Sequence, residues 1–183
     1  MSDSPTASPR ISRRTLLKAG VASGVALVLA RWLYVQTSAT AADPSFAALD
    51  GRARSVVAAI VPVMLEGALP AGDAAIAARG EVVAGVDRAV AGLSPAVRAE
   101  LDELFSLLAF APARCVVAGV WSPWQEASRE SIAAFLERWR DSRFALLRSG
   151  FSALHQLILG AWYANPRAWP VIGYPGPPAL EAA

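Results

Sequence analysis

The chain has one histidine, one cysteine and, at Lys18, one lysine among its 183 residues. Each scarcity closes off a class of chemistry. With His155 alone, two-histidine metal motifs such as H-E-x-x-H cannot form. With Cys115 alone there is no intramolecular disulfide, no C-x-x-C-H haem attachment and no cysteine-ligated iron–sulfur cluster. The sequence also lacks G-x-G-x-x-G, a Walker A loop and a G-x-S-x-G elbow. Its acids Asp102, Glu103, Glu126, Glu130 and Glu137 fall at helix-start and solvent-face positions, so no catalytic constellation emerges. Binding or assembly is therefore the expected class. His155 has Phe151, Ile158, Leu159 and Trp162 at helical spacing and is expected to be packed and hydrogen-bonded; Cys115, beside Val116, Val117 and Ala118, reads as a buried small hydrophobe.

Period-two alternation is missing as well, and no internal repeat is present, which leaves helical spacing as the organising pattern. At 55% hydrophobic and 17% charged residues, the composition suits one packed domain with an accessory segment. The formal charge of +2 hides an asymmetry. Residues 1–41 carry five basic groups and one acid, whereas residues 42–183 carry twelve arginines and fourteen acids, a net of −2. A slightly acidic body argues against a nucleic-acid surface, which needs clustered basic groups against phosphate.

The basic N-terminal stretch, residues 1–41, reads as an export signal. Ser12-Arg13-Arg14-Thr15-Leu16-Leu17-Lys18 precedes an apolar run from Ala19 to Ala30, and Ala39-Thr40-Ala41 offers small residues at the spacing of a cleavage site. SRRTLLK resembles the twin-arginine pattern, with Leu16 where that pattern prefers phenylalanine. A helix of twelve apolar residues would be about 18 Å long, short of the roughly 30 Å hydrocarbon core, and Arg31 interrupts its extension. The alternative is an uncleaved anchor in which Arg31 snorkels outward.

From residue 42 to 183 the pattern predicts an all-α fold, a small helical bundle with an extended aromatic and proline-rich tail from about residue 165. Phe46, Leu49, Ala53, Val56, Val57, Ile60 and Met64 form the first stripe, ended or kinked by Pro62. Asp73 is a candidate N-cap for a second helix, with Ile76, Val83, Val86, Val90 and Leu93 on its apolar face. Ser94-Pro95 starts a third helix carrying Val97, Leu101, Leu104, Phe105 and Leu108; Glu100, Asp102 and Glu103 are expected near its positive end, and it should stop before Pro112. Residues 113–124 give no firm assignment. Ser128 should cap a fourth helix with Ile132, Phe135, Leu136 and Trp139 inside, and Asp141 or Ser142 a long fifth one running from Phe144 to Trp162.

In the tail, Trp162, Tyr163, Trp169 and Tyr174 alternate with Pro166, Pro170, Pro175, Pro177 and Pro178. Pro175 and Gly176 suit the middle of a type II turn. So many large rings predict an ordered segment. They can fold back over their own helices or serve as anchors for a partner, and the two uses are compatible.

FLERW, SRFALLRSGF and WYANPRAWPVIGYPGP, together with the export signal, resemble the gluconate 2-dehydrogenase subunit 3 family. The likeness is specific from Phe135 to Pro177 and at the signal. It rests on Trp139, Tyr163, Pro166, Trp169, Ile172, Gly173, Tyr174, Gly176 and Pro177; Trp162 stands where the family usually has a tyrosine. The resemblance implies a non-catalytic small subunit of a periplasmic flavin dehydrogenase that oxidises a sugar, sugar acid or alcohol. By this likeness the large subunit holds FAD, a multihaem cytochrome c takes the electrons, and this chain holds no cofactor. The likeness also implies that this chain carries the folded flavoprotein to the twin-arginine translocase and stays bound to it in the periplasm, at the outer face of the inner membrane if the leader is kept as an anchor. Two other readings stand beside it: a stand-alone exported ligand-binding protein whose aromatics cup a small molecule, and an enzyme using paired acids near Trp124.

Overall fold

The computed structural model describes residues 46–177, all within one compact unit. The export-signal residues Arg13, Arg14, Leu16, Leu17 and Lys18 and the cleavage-site residues Ala39 and Ala41 lie outside the described residues. The fold is all-α, with no strand among the described residues. Among the described residues five helices of more than two turns build it: α1 (Gly51–Met64), α2 (Asp73–Ala91), α3 (Pro95–Ala109), α4 (Arg129–Arg140) and α5 (Ala145–Tyr163).

Side-chain caps set three of the starts. Asp50 accepts from the Ala53 N–H at 2.7 Å, Ser94 from Val97 at 3.5 Å and Ser128 from Ser131 at 3.2 Å. Each satisfies an N–H that the helix itself cannot. Two expected caps shift. Asp73 is the first residue of α2, and the capping position belongs to Gly72 with φ of 65°. Asp141 closes α4, bound to Arg140 through both carboxylate oxygens at 3.0 Å, while α5 starts after Phe144, whose N–H donates to the Ser142 hydroxyl at 3.1 Å.

Pro62 does not end α1, which continues to Met64. Only Val63 and Met64 lie beyond it, so the lost bond to the Ala58 carbonyl and the ring's crowding of that carbonyl are confined to the end of the helix. The acids of α3 lie beyond its first turn, out of reach of the dipole effect expected of them.

Helix α1 is the centre of the bundle, in contact with all four other helices and with the turn Trp124–Glu126. Its Val56, Val57, Ile60 and Val61 are fully buried. Helices α2 and α5 make a close pair because Gly85 has no side chain: a Cβ there would come within 2.9 Å of the Ala161 Cβ. Ile76, Val97 and Phe144, expected in the core, are exposed at helix starts where the stripe has not yet turned inward.

The unassigned stretch after α3 is a helical turn (Ala111–Ala113), a π turn (Arg114–Ala118) and the 3₁₀ turn Trp124–Glu126. Two indole N–H groups pin it to the core. Trp124 donates to the Leu108 carbonyl at 2.8 Å, and Trp139 to that of Val117 at 3.1 Å. Phe135 sits between them, edge-to-face with both rings at 5.6 and 4.9 Å. Such contacts add specificity beyond the burial of the rings.

Candidate functional site

The tail is not an extended strand; it winds into two 3₁₀ turns, Pro166–Ala168 and Pro170–Ile172. Each starts with proline, whose missing N–H costs nothing at a first helical position. Gly176 takes the positive φ, 102°, that the third position of the expected turn demands. Trp169 organises the tail. Its indole N–H donates to the Tyr163 carbonyl at 3.1 Å, its carbonyl accepts from Tyr174 at 2.9 Å, and the Tyr174 ring meets its ring edge-to-face at 5.5 Å. Ala168 beside it is fully buried.

This arrangement divides the four candidate aromatics. Trp162, with 2% of its surface exposed, is a core residue and leaves the candidate surface. Trp169 is half-buried against the core, while Tyr163 and Tyr174 are about half exposed. Val171 and Ile172 join them, and Val171 is 67% exposed. The result is an apolar ledge held on Trp169. Sequence reading named the aromatics and missed Val171; adjacent apolar residues in a proline-broken segment were the available signal.

Glu81 on α2 clamps the ledge. Its carboxylate accepts from the Asn165 amide at 2.7 Å and from Arg167 Nε at 2.9 and 2.8 Å. Hydrogen bonds from Asn165 and then Arg167 hold its carboxyl below the ordinary value of 4.5. A carboxyl whose folded-state pKa is depressed contributes stability above its unfolded pKa and loses it as the pH falls through the lowered folded value. Acidification below the ordinary glutamate range should therefore loosen the tail before the bundle. Hydrogen exchange of the backbone amides from Asn165 to Tyr174 should accelerate as the pH is lowered, relative to that of α1. In Glu81→Gln it should be fast already at neutral pH and lose this acid dependence.

A second feature was not legible in the sequence. A groove of about 770 Å³ runs over α1, walled by the start of α2 on one side and the Trp124–Arg129 segment on the other. Gln125 donates to the Ser55 hydroxyl at 2.8 Å across its edge. Three arginines line it, Arg54, Arg79 and Arg129, with no carboxylate among the lining residues.

The other candidates take ordinary places. His155 is half-buried with its ring 5.6 Å from that of Phe151, and Cys115 is half-buried in the π turn rather than fully enclosed. Glu126 and Glu130 near Trp124 are exposed. Glu130's carboxyl is held below its ordinary range by its own backbone N–H and by the Ser128 hydroxyl, the environment of a helix-start acid. Among the described residues no group of His, Cys, Asp or Glu could hold a metal ion, and no helix is long and apolar enough to cross a membrane. Compared with protein-family models, curated proteins and solved structures, the chain matches none.

Proposed function

We propose that this chain is the non-catalytic small subunit of an exported FAD-dependent dehydrogenase acting on a sugar, sugar acid or alcohol. In this reading it brings the twin-arginine signal to the complex and stays bound to the flavoprotein in the periplasm, with a multihaem cytochrome c as a third component. The observation that carries the reading is the ledge of Tyr163, Val171, Ile172 and Tyr174, apolar, partly exposed and held by the Trp169 hydrogen bonds. A surface ordered in advance loses little conformational entropy on docking, which is what an obligate partner requires. The family resemblance over Phe135 to Pro177 supports the same assignment.

The test is purification of the tagged full chain from its native cells, with flavin absorption followed in the eluate. The wild type should bring down a yellow partner. Ile172→Ala with Tyr174→Ala should weaken the complex by about thirtyfold, corresponding to about 2 kcal/mol for lost interface anchors, with little change in the melting of the isolated subunit. Trp169→Ala should lower both, because that ring is shared between core and ledge. An intact complex in both variants would show that the ledge is not the interface. The groove favours a second reading, a stand-alone ligand-binding protein, since its volume falls in the range of small-molecule sites. A colourless monomer that binds a small anion would select it.

A further inference from the structure

At one end of the bundle large apolar side chains point outward. The π turn packs there against the last turn of α4: the Val117 carbonyl accepts from the Trp139 indole, and Gly119 lies so close to the Arg138 guanidinium that a Cβ would collide with it. Trp139 in turn covers Gly150 in the second turn of α5. The π turn, the connection between α4 and α5 and the start of α5 therefore share this end. On it Val116 is 83% exposed, Trp121 80%, Leu146 81% and Phe144 56%.

The same end is basic on a body that is otherwise acidic. Residues 113–123 and 137–148 hold five arginines and two acids, a net of +3, while the rest of the chain from residue 42 carries seven arginines and twelve acids, a net of −5. Asp141 neutralises Arg140. Arg143 and Arg148 are exposed and meet only neutral groups. The Arg143 guanidinium lies 4.8 Å over the Phe144 ring, Arg148 donates to the Ser142 carbonyl at 2.6 Å, and neither has a carboxylate partner among the described residues. These charges do not serve the helix they flank. No acid stands in the first turn of α5, and arginines around its positive end are the reverse of what the helix dipole favours.

We infer that this end of the bundle rests on the surface of an anionic phospholipid bilayer, with Trp121, Phe144 and Leu146 in the boundary between headgroups and acyl chains and Arg143 and Arg148 against the phosphates. Exposed tryptophan, phenylalanine and leucine beside unneutralised arginine are the chemistry of interfacial binding, in which rings sit at headgroup level and cationic side chains reach outward to phosphate. The side chains project from turns and a helix start. A protein partner must match such a relief in shape, whereas a fluid bilayer closes around it. A second copy presents the same positive charge at this end, and its contact through an acidic face would be head-to-tail and need not close. The ledge lies at the other end of α5, 19 residues or about 28 Å away, so lipid contact leaves it free. The inference therefore stands apart from the reading of the chain as a subunit.

The experiment places a photo-crosslinking phenylalanine analogue in the full chain at Phe144 and, in a separate sample, at Tyr163 on the ledge. Each is irradiated with vesicles of phosphatidylcholine and phosphatidylglycerol in equal parts, or of phosphatidylcholine alone, and the joined molecule is identified by mass spectrometry. Position 144 should acquire phospholipid on the mixed vesicles and position 163 should not. Removing the anionic lipid should cut the yield about tenfold, as should Arg143→Glu with Arg148→Glu, while Arg143→Lys with Arg148→Lys should largely retain it. Trp121→Ala with Leu146→Ala should also cost about tenfold, through the apolar surface no longer buried. Circular dichroism and melting of each variant establish that it is folded. Equal phospholipid yields at the two positions would mean that residues outside this end bring the chain to lipid, and would overturn the inference. No lipid at position 144, a yield indifferent to charge reversal, or a crosslink to a second copy would overturn it too. Irradiation in the native cells supplies the remaining outcome: a crosslink from position 144 to another protein in place of lipid marks a protein interface and overturns the bilayer assignment, leaving the ledge and the subunit reading as they stand.

Discussion

Asp87→Ala is expected to cost roughly 3 kcal/mol of folding stability, the upper end for one charged hydrogen-bonded group, and to lower the melting temperature by about 10 °C. Asp87 is the one buried charged residue among those described. Its carboxylate gathers three consecutive backbone N–H groups ahead of α1: Ala47 at 2.9 Å, Ala48 at 2.9 Å and Leu49 at 2.7 Å. Burial acts to raise its pKa, but these three donors and the charge of Arg54 outweigh it and hold the carboxyl below its ordinary range. Alanine would remove all three acceptor contacts and leave the buried Leu49 N–H unpaired. Asparagine should be intermediate, since one oxygen can still serve Ala48 and Leu49 while the amide nitrogen faces the Ala47 donor. The sign of the pH effect follows from the depressed pKa. The Asp87 contribution is complete above the ordinary aspartate range and is lost as the pH falls through the lower folded-state value. Thermal melts of wild type, Asp87→Asn and Asp87→Ala at neutral and acidic pH check both statements. The wild type's advantage over each variant should shrink as acid protonates Asp87, while the gap between the two variants, neither of which titrates at that position, stays constant; a wild-type advantage independent of pH would exclude the carboxylate as the cause.

Arg13→Lys with Arg14→Lys should move a whole enzyme activity from one compartment to another. The substitution keeps the charge and the apolar run but replaces two planar guanidinium forks with ammonium groups that cannot reproduce their geometry. In the proposed complex one signal serves two proteins, because the flavoprotein crosses the membrane already folded around FAD. Both should accumulate inside the cell, still associated, with dehydrogenase activity in the cytoplasmic fraction. Fractionation with flavin and activity measured in each compartment reads the result. A partner that reaches the periplasm in normal amount would show that it has its own route and that this chain joins it afterwards. If neither protein moves, SRRTLLK is not the signal.

Local features of the fold were legible because their causes lie within a few residues. Ser94-Pro95 and Ser128 start helices through contacts three residues away, and the face Ile132, Phe135, Leu136 and Trp139 is inside as its spacing predicts. Gly176 adopts the positive φ expected of it. The candidate surface was only partly legible. Trp162 and Tyr163 are neighbours in sequence, yet one is sealed in the core and the other half exposed, since a helix turns successive side chains by about 100°.

Sequence by itself determined the helices, the starts at Ser94 and Ser128, the aromatic end of the chain and the absence of any motif for resident chemistry. Tertiary structure decided what depends on distant partners. Trp121 and Trp124 look equivalent in the sequence, but only Trp124 finds a carbonyl at Leu108; it is 4% exposed and Trp121 80%. Asp87 reads as one more acid on a helix until residues 38 to 40 positions away bring it their N–H groups. The clamp of Glu81 spans 84 and 86 positions, and the groove exists only because α2 and the Trp124–Arg129 segment stop short of each other over α1. Periodicity records which face of a helix is apolar. It carries no information about which polar group will meet that face, or where two packed elements will leave a gap.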